Sequence, residues 1–256
     1  MKYISYERQE HIGILKFCRK EVLNALNKDL LEEVHMFLEL ISKGQQLRAL
    51  IVTGDGDKAF AAGADISEMQ GFSHLEMLRF SELGQKVADS LQTAPFLTIA
   101  AVNGYALGGG FEMALACDFI YATEQSIFGL PEVNLGLIPA FGGTQRLTEA
   151  VGPRFAKELI MTGKTITGRE ALNLNIVNKL VKEDILIASC YETASTVLKH
   201  PFNAILQAKK AVNIASNLDC KGFEAERNMA SVCFATPERK NQMGAFIKKK
   251  EHHAVR

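Results

Sequence analysis

The chain has 256 residues, which is enough for one large domain or for a domain with an appendage. Its 47% hydrophobic and 23% charged residues are typical of a globular protein with a substantial core. Lysine plus arginine number 29, and aspartate plus glutamate also number 29, so no global charge attracts nucleic acid or an anionic membrane. No apolar run approaches the roughly 20 residues of a membrane span. We therefore expect neither nucleic acid nor a membrane as a partner.

The cysteines and histidines indicate no metal site. Five cysteines are scattered without a CxxC pair, and six histidines lack the spacing of metal ligands. Several cysteines have apolar neighbours, which favours small buried thiols in a reducing compartment. The first residues, MKYISYERQEHIGILKF, have neither an apolar signal core nor the Arg/Ser-rich character of a transit peptide. We expect a cytoplasmic protein.

The first part of the chain alternates strand and helix signals. Residues 3–17 alternate apolar and polar positions around ERQEHIG, which predicts a hairpin, and residues 29–42 have the period of an amphipathic helix. The run LRALIVT at 47–53 predicts a buried strand. A loop and a helix from Asp65 follow, where Asp65 and Glu68 have the spacing of a capping pair.

The middle of the chain continues this alternation. A helix is predicted at 84–91, and strands are predicted at 96–102 (FLTIAAV) and 119–123 (FIYAT). Closely spaced glycines then precede a further helix. The segment TGRE at 167–170 is a capping box that opens a helix leading to strand-like residues 176–181. Short strands alternating with helices favour an α/β architecture.

The last quarter of the chain has only helix signals. Pro201 begins a helix predicted through residue 215, and Thr236-Pro237-Glu238 indicates the start of a last helix. The sequence thus predicts an α/β core at 1–195 and a helical C-terminal region at 196–256. That region has more apolar positions than a thin appendage can bury alone, so we expect an oligomer. These positions include Ile205, Val212, Ile214, Phe223, Val232 and Phe234.

Two strands, at 47–53 and at 96–102, end in the same way, with a small-residue loop and a helix start. Small residues let a ligand approach the backbone, and helix starts present free N–H groups. Two such turns on neighbouring strands could direct one N–H each at a single oxygen, as in an oxyanion hole built from backbone. Two ordinary strand–helix connections are the alternative.

Two glutamates stand among apolar residues. Glu112 lies about one turn inside a helix that follows three glycines, and its i+3, i+4 and i+7 neighbours are Leu115, Ala116 and Phe119. Its carboxyl should therefore be largely buried. A helix-capping or dipole-offsetting role is the alternative to catalysis. Glu132 follows in FGLPE, where a surface position after a proline turn is the alternative. Two isolated carboxyls in apolar settings can hold different protonation states, which suits paired acid/base chemistry.

The sequence resembles the crotonase superfamily, and specifically the enoyl-CoA hydratases, over nearly its whole length. The resemblance is densest in four ordered segments: FAAGADISEMQGF, AAVNGYALGGGFEMALACDF, FGLPEVNLGLIPAFGGTQRL and MTGKTITGREALNLNIVNKLV. It implies a crotonase-like spiral of β-β-α units followed by a C-terminal helical trimerisation region. It also implies assembly as a homo-trimer or as a homo-hexamer made of two trimers.

The resemblance carries over to individual site residues. It implies that the backbone N–H groups of Ala64 and Gly109 form the oxyanion hole for a thioester carbonyl. It identifies Glu112 and Glu132 as the catalytic glutamates that hold and activate water, with Glu112 suggested as the base and Glu132 as the acid. Ala140 stands where many members have glycine, and its backbone N–H remains available at the substrate.

The same resemblance implies a coenzyme A site. Ala62, Asp65 and Ile66 match the loop that lines it. Ser67 stands where many hydratases have a lysine near the CoA phosphates. Lys249 resembles a C-terminal lysine that reaches the CoA bound by a neighbouring subunit.

The implied reaction adds water across the C2–C3 double bond of a trans-2-enoyl-CoA to give a 3-hydroxyacyl-CoA, in fatty acid β-oxidation or related acyl-CoA catabolism. It needs no metal and no redox cofactor, since coenzyme A is part of the substrate. Isomerisation, dehalogenation and lyase reactions of other acyl-CoA esters are alternatives within the same fold. The presence of both glutamates favours hydration. A non-catalytic CoA-binding or RNA-binding scaffold is disfavoured by the zero net charge and by the same two glutamates.

Overall fold

The computed structural model describes residues 1–44 and 46–215, and it describes the backbone alone at His74 and Ala215. The helix predicted from Thr236, together with Lys249 and the apolar positions beyond residue 215, lies outside the described residues. The chain divides into two compact units, Met1–Ala194 and Ser195–Arg256.

The first elements follow the sequence predictions closely. Strands β1 (Ile4–Gln9) and β2 (Ile12–Phe17) form the predicted antiparallel hairpin. Helix α1 (Lys28–Lys43) is followed by β3 (Ala49–Gly54), which is buried along its whole length, and by the short strand β4 (Ala59–Ala61). The apolar face predicted for α1 is buried at five positions, Leu30, Leu31, Val34, Phe37 and Leu38.

The helix predicted from Asp65 is a single turn, α2 (Ile66–Met69). Asp65 caps it, because its Oδ1 accepts the Ser67 N–H at 3.2 Å. The prediction that Glu68 completes this cap is wrong. Glu68 Oε2 instead accepts the Lys28 N–H at 2.9 Å, where Lys28 is the first residue of α1. Helix starts leave N–H groups without intrahelical acceptors, so the carboxylate of one helix caps the other.

The middle elements build the region around the three glycines. Helix α3 (His74–Gln92) contains the helix predicted at 84–91, and β5 (Leu97–Val102) is the predicted buried strand. A short strand β6 (Tyr105–Leu107) then leads into α4 (Gly109–Leu115). Strand β7 (Phe119–Thr123) matches the prediction at both ends.

The next elements are a third short strand, a long helix, and then a strand, a helix and a strand. Strand β8 (Ile127–Gly129) precedes α5 (Gly143–Thr162). Strand β9 (Thr165–Thr167), α6 (Gly168–Asn173) and β10 (Lys179–Val181) follow. The glycines before the predicted helix are thus the start of α5.

The predicted capping box opens α6. The Thr167 hydroxyl accepts the Glu170 N–H at 3.3 Å, and Glu170 Oε2 accepts the Thr167 N–H at 2.7 Å. The strand predicted at 176–181 is shorter than expected. Asn175 has a left-handed backbone (φ 59°), and the Ile176 N–H donates back to the Ala171 carbonyl, so the chain is still turning there.

Two sheets organise the first unit. The larger has the strand order β1-β2-β3-β5-β7-β10 and is parallel except for the β1–β2 hairpin. The smaller has the order β4-β6-β8-β9, in which β4, β6 and β8 run parallel. Because parallel strands end at the same edge, the segments that follow β4, β6 and β8 leave the small sheet side by side.

Two helices complete the described chain, α7 (Leu186–Val197) and α8 (Phe202–Ala215). Helix α8 confirms the helix predicted from Pro201 to residue 215. Across the described residues, no helix combines the length and apolar character needed to cross a membrane.

Candidate active site

The predicted site residues follow three neighbouring strands of the small sheet. Ala64 comes after β4, Gly109 is the first residue of α4 after β6, and Glu132 lies in a 3₁₀ turn, Pro131–Leu135, after β8. Glu112 is the fourth residue of α4. The sequence predicted that the loops before Ala64 and Gly109 follow β3 and β5, which are parallel neighbours in the large sheet. The strands that place the loops are the three-residue strands β4, β6 and β8, which are too short to show periodicity.

These residues line one cavity of about 120 Å³. One part of its lining consists of alanines and glycines, which expose their backbone, together with the carboxyl groups of Glu112 and Glu132. Its apolar part is formed by Ile66, Met69, Met77, Phe80, Leu135, Leu137, Ile138 and Phe141. The predicted site residues that lie in the lining are Ala62, Ala64, Ile66, Gly109, Glu112, Glu132 and Ala140. Asp65 is not in the lining of this cavity, and Lys249 lies outside the described residues.

Within residues 1–44 and 46–215, the backbone N–H groups of Ala64 and Gly109 in this lining donate to no other backbone group. Gly109 is the first residue of α4, so its N–H has no intrahelical acceptor. Ala64 forms an isolated bridge with Leu26, in which the hydrogen bonds run from the Leu26 N–H to the Gly63 carbonyl and from the Asp65 N–H to the Leu26 carbonyl. The bridge therefore fixes the backbone on both sides of Ala64 and leaves the Ala64 N–H itself unbonded. Two fixed, unbonded amides in one cavity are suited to bind an oxyanion.

Asp65 anchors this loop from the other side. Its Oδ2 accepts a hydrogen bond from Arg19 Nη2 at 2.9 Å, and both side chains are 13% exposed. Ser67 Oγ donates to Asp65 Oδ1 at 2.5 Å. The Ser67 hydroxyl and the Arg19 guanidinium hold the pKa of Asp65 below its ordinary value. The side chain of Asp65 is thus engaged in the fold, one residue after the Ala64 amide.

Two of the three glycines are needed for the shape of the cavity. Gly108 has φ 48° and ψ −128°, a conformation that L side chains rarely adopt, and a Cβ there would lie 2.9 Å from Glu132 Oε1. A Cβ on Gly109 would lie 2.8 Å from the ring of Phe141. Side chains at these positions would displace a carboxyl group and an aromatic wall of the cavity.

Glu112 is 1% exposed and fully engaged at one oxygen. Its Oε1 accepts the Phe141 N–H at 2.8 Å and the Gly143 N–H at 2.6 Å. Gly143 is the first residue of α5, so Glu112 does cap a helix, although not its own. Burial raises the pKa of Glu112, while the N–H groups of Gly143 and Phe141 and the charge of Arg146 act against that rise.

Glu132 is held differently. Its Oε2 is buried and has no hydrogen-bond partner among the described residues. Burial raises the pKa of Glu132 to about 7, and repulsion from Glu112 contributes to the rise. A carboxyl with this pKa can be protonated near neutral pH. The two glutamates therefore share a cavity in which burial raises the pKa of both, while at Glu112 the backbone N–H groups of other residues and an arginine oppose the rise.

The aromatic and aliphatic wall of the cavity was not predicted from the sequence. The ring of Phe80 lies 5.4 Å from the ring of Phe141 and 5.5 Å from the ring of Phe72. Ile138 is 67% exposed, in the loop LGLIPAF that precedes α5. The only sign of this surface in the sequence is that LGLIPAF is apolar but has neither strand nor helix periodicity.

Comparison with known proteins identifies the family. The family model described as enoyl-CoA hydratase/isomerase matches residues 7–254. This chain belongs to the enoyl-CoA hydratase/isomerase family.

Relatives in this family match the chain almost from end to end. A crotonyl-CoA hydratase from Syntrophomonas wolfei subsp. wolfei is 40% identical over 253 residues, covering 98% of this chain and 97% of that protein. A short-chain-enoyl-CoA hydratase from Clostridium acetobutylicum is 40% identical over 248 residues, covering 96% of this chain and 94% of that protein.

Solved structures of enoyl-CoA hydratases share the fold. The enzyme from Bacillus anthracis has a TM-score of 0.92 at 34% identity, covering 97% of both chains. A structure from Geobacillus kaustophilus has a TM-score of 0.91 at 38% identity, covering 96% of this chain and 95% of that chain. The crotonase-like α/β fold predicted from the sequence is confirmed.

Proposed function

We propose that this protein is an enoyl-CoA hydratase, which adds water to a trans-2-enoyl-CoA to give a 3-hydroxyacyl-CoA. The observation that carries the proposal is the shared cavity of Glu112 and Glu132, two carboxyls held in different environments beside two unbonded amides. The relatives named crotonyl-CoA hydratase and short-chain-enoyl-CoA hydratase support hydration over isomerisation.

The amides of Ala64 and Gly109 act on the thioester carbonyl. When the water oxygen bonds to C3, the electron pair of the C2–C3 double bond moves toward C2 and the thioester oxygen, which becomes an enolate. Two N–H groups fixed before the reaction stabilise that charge without reorganising. Removal of one oxyanion donor typically costs about 10²–10³-fold in turnover.

The two glutamates move the protons. Glu112 takes a proton from the attacking water: burial raises the pKa of its carboxyl, which makes the carboxylate a stronger base, and the Phe141 and Gly143 N–H groups help to hold the charged form. Glu132 delivers a proton to C2, because its pKa of about 7 keeps a proton available near neutral pH. The product therefore has the hydroxyl group of the water on C3 and the proton from Glu132 on C2. The glutamates return to their starting states when a proton passes from Glu112 to Glu132 or through solvent.

The lining of the cavity matches the two ends of such a substrate. The small residues around Ala64 and Gly109 let a thioester reach the backbone, and the apolar wall at Met77, Phe80 and Phe141 suits an acyl group. Coenzyme A is part of the substrate, and we propose no metal or redox cofactor. Ala62, Ile66, Ala140 and the Asp65 loop are assigned to substrate binding by the resemblance.

The remaining proposals concern assembly and cellular context. We propose a homo-trimer or homo-hexamer joined through the region 196–256, in the cytoplasm, with no nucleic acid or membrane partner, acting in β-oxidation or related acyl-CoA catabolism. Sedimentation at micromolar concentration tests the assembly. A stable, active monomer would contradict it.

One assay tests the activity. Purified protein is incubated with trans-2-enoyl-CoA esters of increasing chain length, starting from crotonyl-CoA, and the loss of enoyl absorbance is followed together with formation of the 3-hydroxyacyl-CoA. A 3-enoyl-CoA panel, followed by the appearance of the 2-enoyl product, serves as the control for isomerisation. Conversion of 3-enoyl-CoA without hydration of any 2-enoyl-CoA would make the protein an isomerase.

A further inference from the structure

The backbone turn before α5 is bound from two sides at Phe141. On one side, the Phe141 N–H donates to Glu112 Oε1 at 2.8 Å. On the other side, the Phe141 carbonyl accepts a hydrogen bond from Arg146 Nη1 at 3.1 Å. One peptide segment thus connects a guanidinium to the buried carboxylate, and any shift of Phe141 changes the hydrogen bonds of Glu112.

Arg146 is itself fixed by α3. Its Nε donates to Gln92 Oε1 at 2.9 Å, and its Nη2 donates to Asp89 Oδ1 at 2.6 Å. The Arg146 side chain is 10% exposed, whereas that of Asp89 is 67% exposed. The guanidinium therefore makes three hydrogen bonds in three directions, two to α3 and one to the turn. A planar fork with several donors can do this, but a single ammonium cannot.

Further contacts seat the same turn on α3. Gln85 Nε2 donates to the Ala140 carbonyl at 3.0 Å. A Cβ on Gly84 would lie 2.1 Å from the ring of Phe141, so this ring occupies a notch in α3 that only glycine leaves open. A Cβ on Gly142 would lie 2.1 Å from Arg146 Nη1, which shows that the guanidinium rests directly against the turn.

The charges around Glu112 are few within the described residues. Arg146 of α5 is the positive group that acts on it, and Glu132, in the turn after β8, is the negative one. From α3, Asp89 faces the guanidinium of Arg146. Arg146 lowers the pKa of Glu112 and so favours the state that can accept a proton from water.

We propose that Arg146 is a positioning residue for Glu112: it clamps the turn whose N–H groups hold the carboxylate and ties that turn to α3. Arg146 does not line the cavity, so it acts through Phe141 and Gly143. This inference rests on the proposed hydratase function, because it assigns Glu112 the role of the base.

The test compares Arg146→Lys and Arg146→Gln with wild type. Both variants lose the three-way clamp, so we expect kcat to fall about 10–100-fold, as misplacement of a reacting group by about 1 Å does. KM should change less than about threefold, because the residue does not line the cavity. In Arg146→Gln the acid limb of the kcat/KM profile should move to higher pH, since loss of the positive charge raises the pKa of the base, whereas Arg146→Lys keeps the charge and should move it less. Asp89→Asn keeps an acceptor for Arg146, so it should lower kcat less than either Arg146 variant does.

Arg154→Lys is the matched control, because Arg154 is an exposed arginine in the part of α5 that follows the kink at Gly152. It should leave kcat, KM and the pH profile unchanged. A readout independent of turnover is the pH titration of the Glu112 carboxyl carbon by NMR, where Arg146→Gln should titrate at higher pH than wild type.

The outcomes separate this inference from the proposed function. A wild-type protein that hydrates no enoyl-CoA refutes the hydratase proposal, while the NMR titration still tests the link between Arg146 and Glu112. A wild-type protein that does hydrate, with Arg146 variants that are less heat-stable but keep kcat per folded molecule and the same pH profile, overturns the positioning role. Unchanged titration of Glu112 in folded Arg146→Gln overturns it as well.

Discussion

Glu112 Oε1 lies 2.6 Å from the Gly143 backbone nitrogen, and this hydrogen bond joins α4 to the first residue of α5. The Phe141 N–H donates to the same oxygen at 2.8 Å. Hydrogen bonds to a charged acceptor are stronger than neutral ones, and they offset part of the cost of burying a carboxylate. The residue proposed as the base is therefore also part of the packing between two helices.

This double role predicts different stabilities for two substitutions. Glu112→Gln keeps an oxygen for both N–H groups, so its free energy of unfolding should lie within about 1 kcal/mol of wild type. Glu112→Ala leaves both N–H groups buried without a partner, at about 1–3 kcal/mol each. Denaturant unfolding measures both values. An alanine variant as stable as the glutamine variant would contradict the capping role.

Glu132 predicts a pH-dependent stability. Its pKa is raised to about 7 in the folded protein against an ordinary value of 4.5, so folding favours its protonated form. The stability that this group contributes is therefore fully present below about pH 4.5 and is lost as the pH rises through about 7. Glutamine mimics the protonated form. Glu132→Gln should unfold at a higher temperature than wild type at pH 8, and this difference should shrink toward pH 5.

Thermal unfolding at a series of pH values measures this effect. Glu82→Gln on α3 is a suitable control, since Glu82 is exposed and does not line the cavity. Its effect on the unfolding temperature should not depend on pH between 5 and 8. An equal effect of Glu132→Gln at both ends of that range would contradict the raised pKa.

The sequence revealed the elements with long periodic patterns. The apolar positions of α1 recur at helical spacing, and β5 is a continuous apolar run, so each was predicted nearly to its ends. The capping box at Thr167 was predicted because both of its hydrogen bonds lie within four residues. Interactions between residues that are close in the sequence can be predicted from the short segment that contains them.

The parts that were missed depend on contacts between distant residues. Glu68 caps α1 across 40 residues of sequence, and Phe141 fits against Gly84 of α3. The strands β4 and β6 have three residues each, too few to show an alternation. Glu112 and Glu132, which line one cavity, were noticed in the sequence because isolated carboxyls in apolar segments are costly to bury, whereas the apolar residues around them have no such signal.

The ion pair between Arg19 and Asp65 predicts a loss of catalysis without a matching loss of binding. Asp65 follows the Ala64 amide directly, and the pair is largely buried at 2.9 Å. Asp65→Asn should loosen the loop and lower kcat by about tenfold or more, since one oxyanion donor is worth about 10²–10³-fold. It should also reduce the free energy of unfolding by about 1–3 kcal/mol, because Arg19 loses its charged partner.

Steady-state kinetics and denaturant unfolding measure these effects. Glu32→Gln, which removes the exposed pair between Lys28 and Glu32, is the matched control and should change stability by less than about 0.5 kcal/mol. If Asp65→Asn weakens CoA-ester binding and leaves kcat intact, Asp65 contacts coenzyme A and does not anchor the Ala64 loop.

Lys249, which lies outside the described residues, is predicted to meet the CoA phosphates. Lys249→Ala should weaken binding of a CoA ester at low salt and reduce the salt dependence of that binding, while kcat at saturation changes little. Lys157→Ala on the exposed side of α5 is the control and should bind as wild type does. Unchanged affinity of the Lys249 variant at low salt would remove this residue from the site.

The central claim is that Glu112 and Glu132 act together on one water molecule. It is tested most directly by hydratase turnover of Glu112→Gln, Glu132→Gln and the double variant, with binding of a CoA ester and thermal unfolding as controls for an intact site. General acid/base catalysis contributes about 10²–10⁴-fold, so each single variant should lose roughly that much turnover and still bind. The double variant should be far less than multiplicatively worse, because the two groups act as a unit. Near-wild-type hydration by either folded single variant would contradict the two-carboxylate mechanism.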